Sequence, residues 1–270
     1  MRRAFAAALV AVALAMSAPV AAGPFEDADA AAHRKDYATA LRLWRSLAEQ
    51  GDAYAQFNIG LMYFNGHGVK QDYAEALRLW RPVAARGDAL AQYSIGFLYD
   101  NGFGVTEDVD EALSWYRMAA EQEHAAAQRA MGDFCAEGRG VKQDYAEALR
   151  WYRLAAAQGE ASAQFALGYA FANGNGVPQN DAEAARWYRL AADQDDIGAQ
   201  VNLGLLYYNG RGVPRNYALA YRWFALAAAQ GDDVADGLRE MAAAKLTSEQ
   251  IAEIEQAVRD ARNLVARRRP

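Results

Sequence analysis

The chain has 270 residues, 28 basic and 34 acidic side chains and a formal charge of −6, and 63 of its residues are alanine. The acidic balance argues against a nucleic-acid binder, and the alanine load, with few β-branched residues, argues against a sheet protein. One cysteine excludes an intramolecular disulfide, and three scattered histidines leave no zinc set.

Residues 1–22 read as a cleavable secretory signal. Arg2 and Arg3 precede an apolar run from Ala4 to Met16 that is short for a bilayer span, and Pro19 then precedes the small residues Val20-Ala21-Ala22. Cleavage after Ala22 removes two arginines and leaves a charge of −8. No later segment is continuously apolar over a bilayer's width, so no membrane span is expected after cleavage. The expected location is periplasmic or secreted.

Residues 23–52 read as N-terminal capping helices, the second running from Asp36 to Gln50. A 36-residue period then organises five units, at 53–88, 89–124, 125–160, 161–196 and 197–232. Gln56, Gln92, Gln128, Gln164 and Gln200 keep one beat, and Gly60, Gly96, Gly132, Gly168 and Gly204 keep another. Tryptophan keeps the beat with a slip: Trp44 and Trp80 hold the second place of a residue pair, Trp115, Trp151, Trp187 and Trp223 the first.

Each unit predicts two helices. In the first unit one covers about Ala53 to Phe64 and stops at Asn65-Gly66, where the chain tolerates the left-handed conformation. The next starts at Asp72, with Glu75 three residues on, a capping-box spacing that recurs as Asp108/Glu111, Asp144/Glu147 and Asn180/Glu183 and fails at Asn216/Leu219. Its expected buried stripe is Ala76, Leu79, Trp80, Val83 and Ala84, and Pro82 predicts a kink. A glycine inside a helix costs about 1 kcal/mol relative to alanine, so its recurrence in five first helices predicts a close helix approach there. Residues 233–270 read as C-terminal capping helices, the last opening at Thr247-Ser248-Glu249-Gln250. One helix pair cannot bury both its faces, so the pairs are expected to stack into a solenoid.

The unit AYAQFNIGLMYFNGHGVKQDYAEALRLWRPVAARGD resembles the Sel1-like repeat, a relative of the tetratricopeptide repeat, and ASAQFALGYAFANGNGVPQNDAEAARWYRLAADQ matches the pattern again. The resemblance covers about residues 30 to 235. It implies an all-α fold, a right-handed α/α superhelical solenoid of five helix-turn-helix repeats with helical caps at both ends. It also implies a protein-binding scaffold, and some family members are exported regulators or envelope-assembly adaptors. A cysteine-rich branch is reported to bind and hydrolyse β-lactams. That branch staples each repeat with a disulfide, which the lone Cys135 cannot do.

No nucleophile elbow, Ser-x-x-Lys, zincin or phosphate-loop motif occurs, so the chain is expected not to be an enzyme and to need no cofactor or metal. The expected partner is a protein or peptide of the cell envelope, and the chain itself is expected to be a monomer. In tetratricopeptide-like solenoids the first helices line the concave side, and spacing puts one face of each together. The candidate groove is therefore Tyr54, Phe57, Asn58, Leu61, Phe64, Leu90, Tyr93, Ser94, Phe97, Arg129, Asp133, Phe165, Tyr169, Asn202, Leu205 and Tyr208. Replacing Phe57, Tyr93 and Phe165 by alanine is expected to weaken binding without unfolding the chain. Two alternatives stand beside this reading. One is a β-lactam-binding hydrolase by family analogy. The other is a binder of an anionic envelope polymer through an arginine ladder on the second helices, with Arg42, Arg45, Arg78, Arg81, Arg117, Arg150, Arg153, Arg186, Arg189 and Arg222 at equivalent places.

Overall fold

Alternating short helices and glycine loops build the chain, and a computed structural model describes residues 23–268. The signal-peptide reading of residues 1–22 lies outside the described residues. Fourteen helices and no strand occur among them. The first two are α1 (Pro24–His33) and α2 (Tyr37–Glu49). Repeat pairs follow as α3 (Ala53–Asn65) with α4 (Tyr73–Ala85), α5 (Ala89–Asn101) with α6 (Val109–Glu121), and α7 (Ala125–Glu137) with α8 (Tyr145–Ala157). Then come α9 (Ala161–Asn173) with α10 (Asp181–Ala192) and α11 (Ile197–Asn209) with α12 (Tyr217–Ala228). The chain closes with α13 (Asp233–Ala243) and α14 (Ser248–Arg268). Two compact units divide the chain at Gln122/Glu123, and within each of them helices pack on their chain neighbours as a repeat solenoid.

Local chemistry fixes the helix ends. Asp52, Asp88, Asp196 and Asp232 each accept the backbone N–H three residues on, which satisfies an orphan donor of the first turn. His124 does the same for α7 through Nδ1, and Glu160 caps α9 through its bond to the Ala163 amide. Each first helix of a repeat ends on a left-handed glycine, φ 65–74°, as the sequence predicts.

The capping box is only half formed. Asp72 Oδ1 accepts the Glu75 amide, but the Asp72 N–H donates to Tyr63 O at 2.9 Å instead of to the Glu75 carboxylate. The equivalent residues Asp108, Asp144, Asn180 and Asn216 donate likewise to Tyr99, Cys135, Phe171 and Tyr207 carbonyls. That bond ties the two helices of a repeat into a hairpin and frees the glutamate, which pairs with Arg78 in α4. Asn216 caps α12 through Oδ1 with no glutamate at all. Among the described residues only Thr247 and Gln250 make the reciprocal pair of bonds, at the start of α14.

The core sits between helices of adjacent repeats. In α4 the buried residues are Ala76, Leu77, Trp80, Val83 and Ala84; Leu77 replaces the expected Leu79, which is half-buried against α2 and α3. Pro82 is exposed and α4 runs on through it to Ala85, so the proline removes a hydrogen bond to Arg78 O without ending the helix. The mid-helix glycines have the expected cause. A Cβ at Gly96 would lie 2.8 Å from Tyr116 Cδ1 and one at Gly204 2.8 Å from Phe224 Cδ1, and Gly60 faces the Trp80 indole. The slip of tryptophan within its pair therefore separates two packing sites. One abuts the glycine of its own repeat, and the other packs on a cluster shared with the preceding helix pair, as Trp115 does on the cluster that Leu77 and Trp80 of α4 form with Ile95 and Leu98 of α5.

Candidate protein-binding surface

The structure sorts the candidate groove residues into packing groups and exposed ones. Phe57, Phe64 and Ser94 are buried, so they hold helices together instead of lining an open surface. Phe57 stacks on Trp80 with ring centroids 5.5 Å apart, and Phe64 meets Tyr73, Trp80 and Phe97. Tyr93 and Phe165, half-buried, lie against Tyr116 and Tyr188, 5.5 and 5.7 Å between centroids. Replacing Phe57, Tyr93 and Phe165 by alanine would thus empty ring contacts in both units, which corrects the expectation that this change spares the fold.

In the first unit Tyr54, Asn58, Leu61, Leu90 and Phe97 keep partial exposure. Tyr54 donates its hydroxyl to Asp29 Oδ2 at 3.0 Å, while Phe97 joins a ring cluster with Phe64 and Phe103. In the second unit Arg129 and Asp133 form an ion pair along α7, and the Tyr152 hydroxyl donates to Asp133 at 2.9 Å. Burial and the Asp133 charge push the Tyr152 phenol far up, so it stays neutral and a donor. Glu160 lies 3.9 Å from Arg129, and burial pushes its carboxyl above the usual range against the pull of that arginine. Arg129 and Asp133 are therefore committed to an internal network.

The remaining residues gather in the second unit. Tyr169, Asn202 and Leu205 line a depression of ≈ 230 Å³ together with Asn173, Asn209 and Arg211, with Tyr188 of α10 at its wall. Tyr169 is half exposed. Asn173, Asn202 and Asn209 each donate Nδ2 to the carbonyl four residues back, those of Tyr169, Gly198 and Leu205. A carbonyl can only accept, so each amide nitrogen faces its helix, and none of the three Oδ1 atoms accepts a hydrogen bond among the described residues. Arg211 is held by Asp181 through two bonds of 3.0 and 2.9 Å. Tyr208 stands apart from the depression, its ring edge-on to Tyr217. The sequence reading missed Asn173, Asn209 and Arg211. For the two asparagines the signal is their recurrence before the first loop glycine, which by itself reads as a helix stop.

The arginine ladder is largely engaged. Arg78, Arg150 and Arg186 pair with Glu75, Glu147 and Glu183 at 2.6–2.8 Å. Arg81 and Arg189 donate to the Tyr99 and Tyr207 hydroxyls at 2.7 Å. Among the described residues no group of three or more His, Cys, Asp and Glu could hold a metal ion, and no helix is long and apolar enough to cross a membrane.

The repeat positions match known proteins. The family model described as Sel1 repeat matches residues 31–52, 53–88, 89–124, 125–160, 161–196 and 197–232; the first, partial match falls on the helix taken above as a cap. A comparison with curated protein sequences gave no match. Among solved structures, the chain is similar to c5321, a protective antigen of uropathogenic Escherichia coli displaying an SLR fold, with 41% identity and a TM-score of 0.68. That alignment covers 73% of this chain but 42% of the antigen. A Sel1 repeat protein from Oxalobacter formigenes is 33% identical with a TM-score of 0.73, covering 79% of this chain and 85% of that one. The immunity protein Pa5087 of Pseudomonas aeruginosa shares the fold at 19% identity and a TM-score of 0.52, over 75% of this chain and 81% of that one. Sel1 repeat proteins are in general non-catalytic scaffolds for protein–protein interaction. With its helix-pair architecture and six matched segments, the chain belongs to the Sel1 repeat family.

Proposed function

We propose that this chain is an exported scaffold that binds an extended segment of an envelope protein, and that the depression between α9 and α11 is part of the contact. The observation that carries the reading is the set of three asparagine Oδ1 atoms that accept no hydrogen bond among the described residues, beside the exposed Tyr169 ring and Leu205. Spaced acceptors suit the backbone N–H groups of an extended chain, and the tyrosine and leucine suit its alternate apolar side chains. The leader-like residues 1–22 support export, which predicts a periplasmic or secreted form whose N-terminal sequence starts at Gly23. The arginine ladder offers less support for an anionic polymer, since three of its members are already neutralised by neighbouring glutamates.

Crosslinking of the processed protein in an envelope extract, with mass spectrometry of what it captures, tests this. The variant carrying Tyr169→Ala and Asn202→Ala is expected to lose the dominant captured protein while melting within a few degrees of the parent. Equal capture by both would remove the depression from the contact.

A further inference from the structure

A glutamine clip joins successive repeats. Gln92, Gln164 and Gln200 donate Nε2 to Ala84, Ala156 and Ala192 carbonyls of the preceding helix pair, at 3.1–3.4 Å. Their Oε1 atoms, and that of Gln128, accept Nε2 of Gln122, Gln158, Gln194 and Gln230, all 30 residues on, at 2.7–3.1 Å. The first repeat keeps only half of the clip, with Gln56 Nε2 still donating to Ala48 O at 3.4 Å. Arg86 stands where the other repeats have glutamine, and it donates instead to Gly51 O at 2.8 Å. Gln56 Oε1 is left buried without a hydrogen-bond donor.

Two further departures fall in the same repeat. Leu79 stands where the other four repeats carry Trp115, Trp151, Trp187 and Trp223, and Pro82 stands where they carry methionine or leucine. Leu79, Pro82 and Gln56 border one cavity of ≈ 280 Å³ between α2, α3 and α4, with Ile59 and Leu79 as apolar wall and Arg45 at the rim. The last repeat shows what occupies this frame when it is filled. There Trp223 is buried, and the guanidinium of Arg189, the counterpart of Arg45, lies 5.0 Å from its ring centroid.

We infer that the first-repeat cavity binds an indole-class aromatic ring supplied from outside the chain, in the place where the last repeat buries its own Trp223. The volume lies at the small end for ligand pockets, which run from about 300 Å³ upward, so it suits one ring system and not a large cofactor. The ring would lie under Arg45 as Trp223 lies under Arg189, a cation–π arrangement. An N–H on the ring would satisfy Gln56 Oε1, whose unmade bond is otherwise costly. The ring has two possible sources with the same chemistry, a tryptophan side chain of another protein and a free aromatic amino acid. Glu49 also lines the rim, where the ammonium of a free amino acid could pair with it.

The test is ligand-observed fluorine NMR with the full processed protein and 5-fluoroindole as probe. Saturable line broadening with a Kd on the order of 1 mM is expected for so small a ligand. Leu79→Trp, which restores the residue of the other repeats, is expected to weaken binding at least tenfold. Arg45→Ala, a change at an exposed side chain, is expected to weaken it roughly fivefold and decides the matter if Leu79→Trp does not fold. No saturation by the parent, or unaltered affinity in Leu79→Trp or in Arg45→Ala, overturns the inference. N-acetyl-5-fluorotryptophanamide binding as well as the free amino acid assigns the ring to a protein partner. Binding of the free amino acid alone assigns it to a small metabolite.

Discussion

Glu123 and Asp195 occupy the place where Gly51, Gly87, Gly159 and Gly231 leave the second helix, and they take the same left-handed conformation, with φ 63° and 66°. A side chain there is strained by about 1–2 kcal/mol, and glycine relieves that while adding freedom to the unfolded chain. Glu123→Gly is therefore expected to stabilise by about 0.5–1 kcal/mol, read as a higher midpoint in urea at unchanged slope. Asp196 makes a second residue-scale case. Burial pushes its carboxyl up, against the amides of Ala199 and Gly198 that pull it down. A raised folded pKa means that its stabilising contribution is complete below the unfolded value and is lost as pH rises through the folded one. Asn caps a helix as well as Asp and carries no charge to desolvate. Asp196→Asn should thus raise the melting temperature at pH 7, with a gain that shrinks toward nothing as the pH falls to about 4. An equal gain at both pH values would show that desolvation is not its cause.

At the scale of the helix pair, glycine and ring are one device. Glycine to alanine in a helix interior ordinarily stabilises by about 1 kcal/mol. Gly96→Ala is expected to do the reverse here, by about 1–3 kcal/mol, because its methyl would meet the Tyr116 ring. Combining it with Tyr116→Leu should recover part of the loss in a double-mutant cycle, whereas strictly additive losses would show that ring and glycine are independent. The second loop glycine has a similar role between pairs. A Cβ on Gly104 would lie 2.7 Å from Tyr73 Cβ, at the start of the preceding second helix, on a backbone with φ 70°.

At the scale of the molecule, each unit is held by neighbour contacts, so damage should stay local. The C-terminal helix α14 covers α12: Tyr221 donates its hydroxyl to Glu255 at 3.0 Å, and Val258 is buried in the same cluster as Phe224. Removing residues 247–270 exposes that apolar face. Hydrogen exchange should then quicken in α11 to α13 while α3 to α5 keep their protection. Uniform loss along the chain would show instead that stability is shared over all repeats.

The sequence by itself determined the periodic frame: helix starts at the acidic caps, stops at the glycines, and the beat of glutamine, glycine and ring. These are local or strictly repeating signals, and local chemistry decides them without knowledge of distant neighbours. It also pointed to the face that carries Tyr169, Asn202 and Leu205. Only the tertiary structure decided which residues of that face are open. Helical spacing puts Phe57 beside Tyr54, yet Trp80 of the next helix covers one, and the other keeps its ring exposed. The same holds for Glu75, whose spacing reads as a capping box until the Tyr63 carbonyl takes the cap's N–H. Such choices depend on atoms that only the packing of one helix against the next brings together.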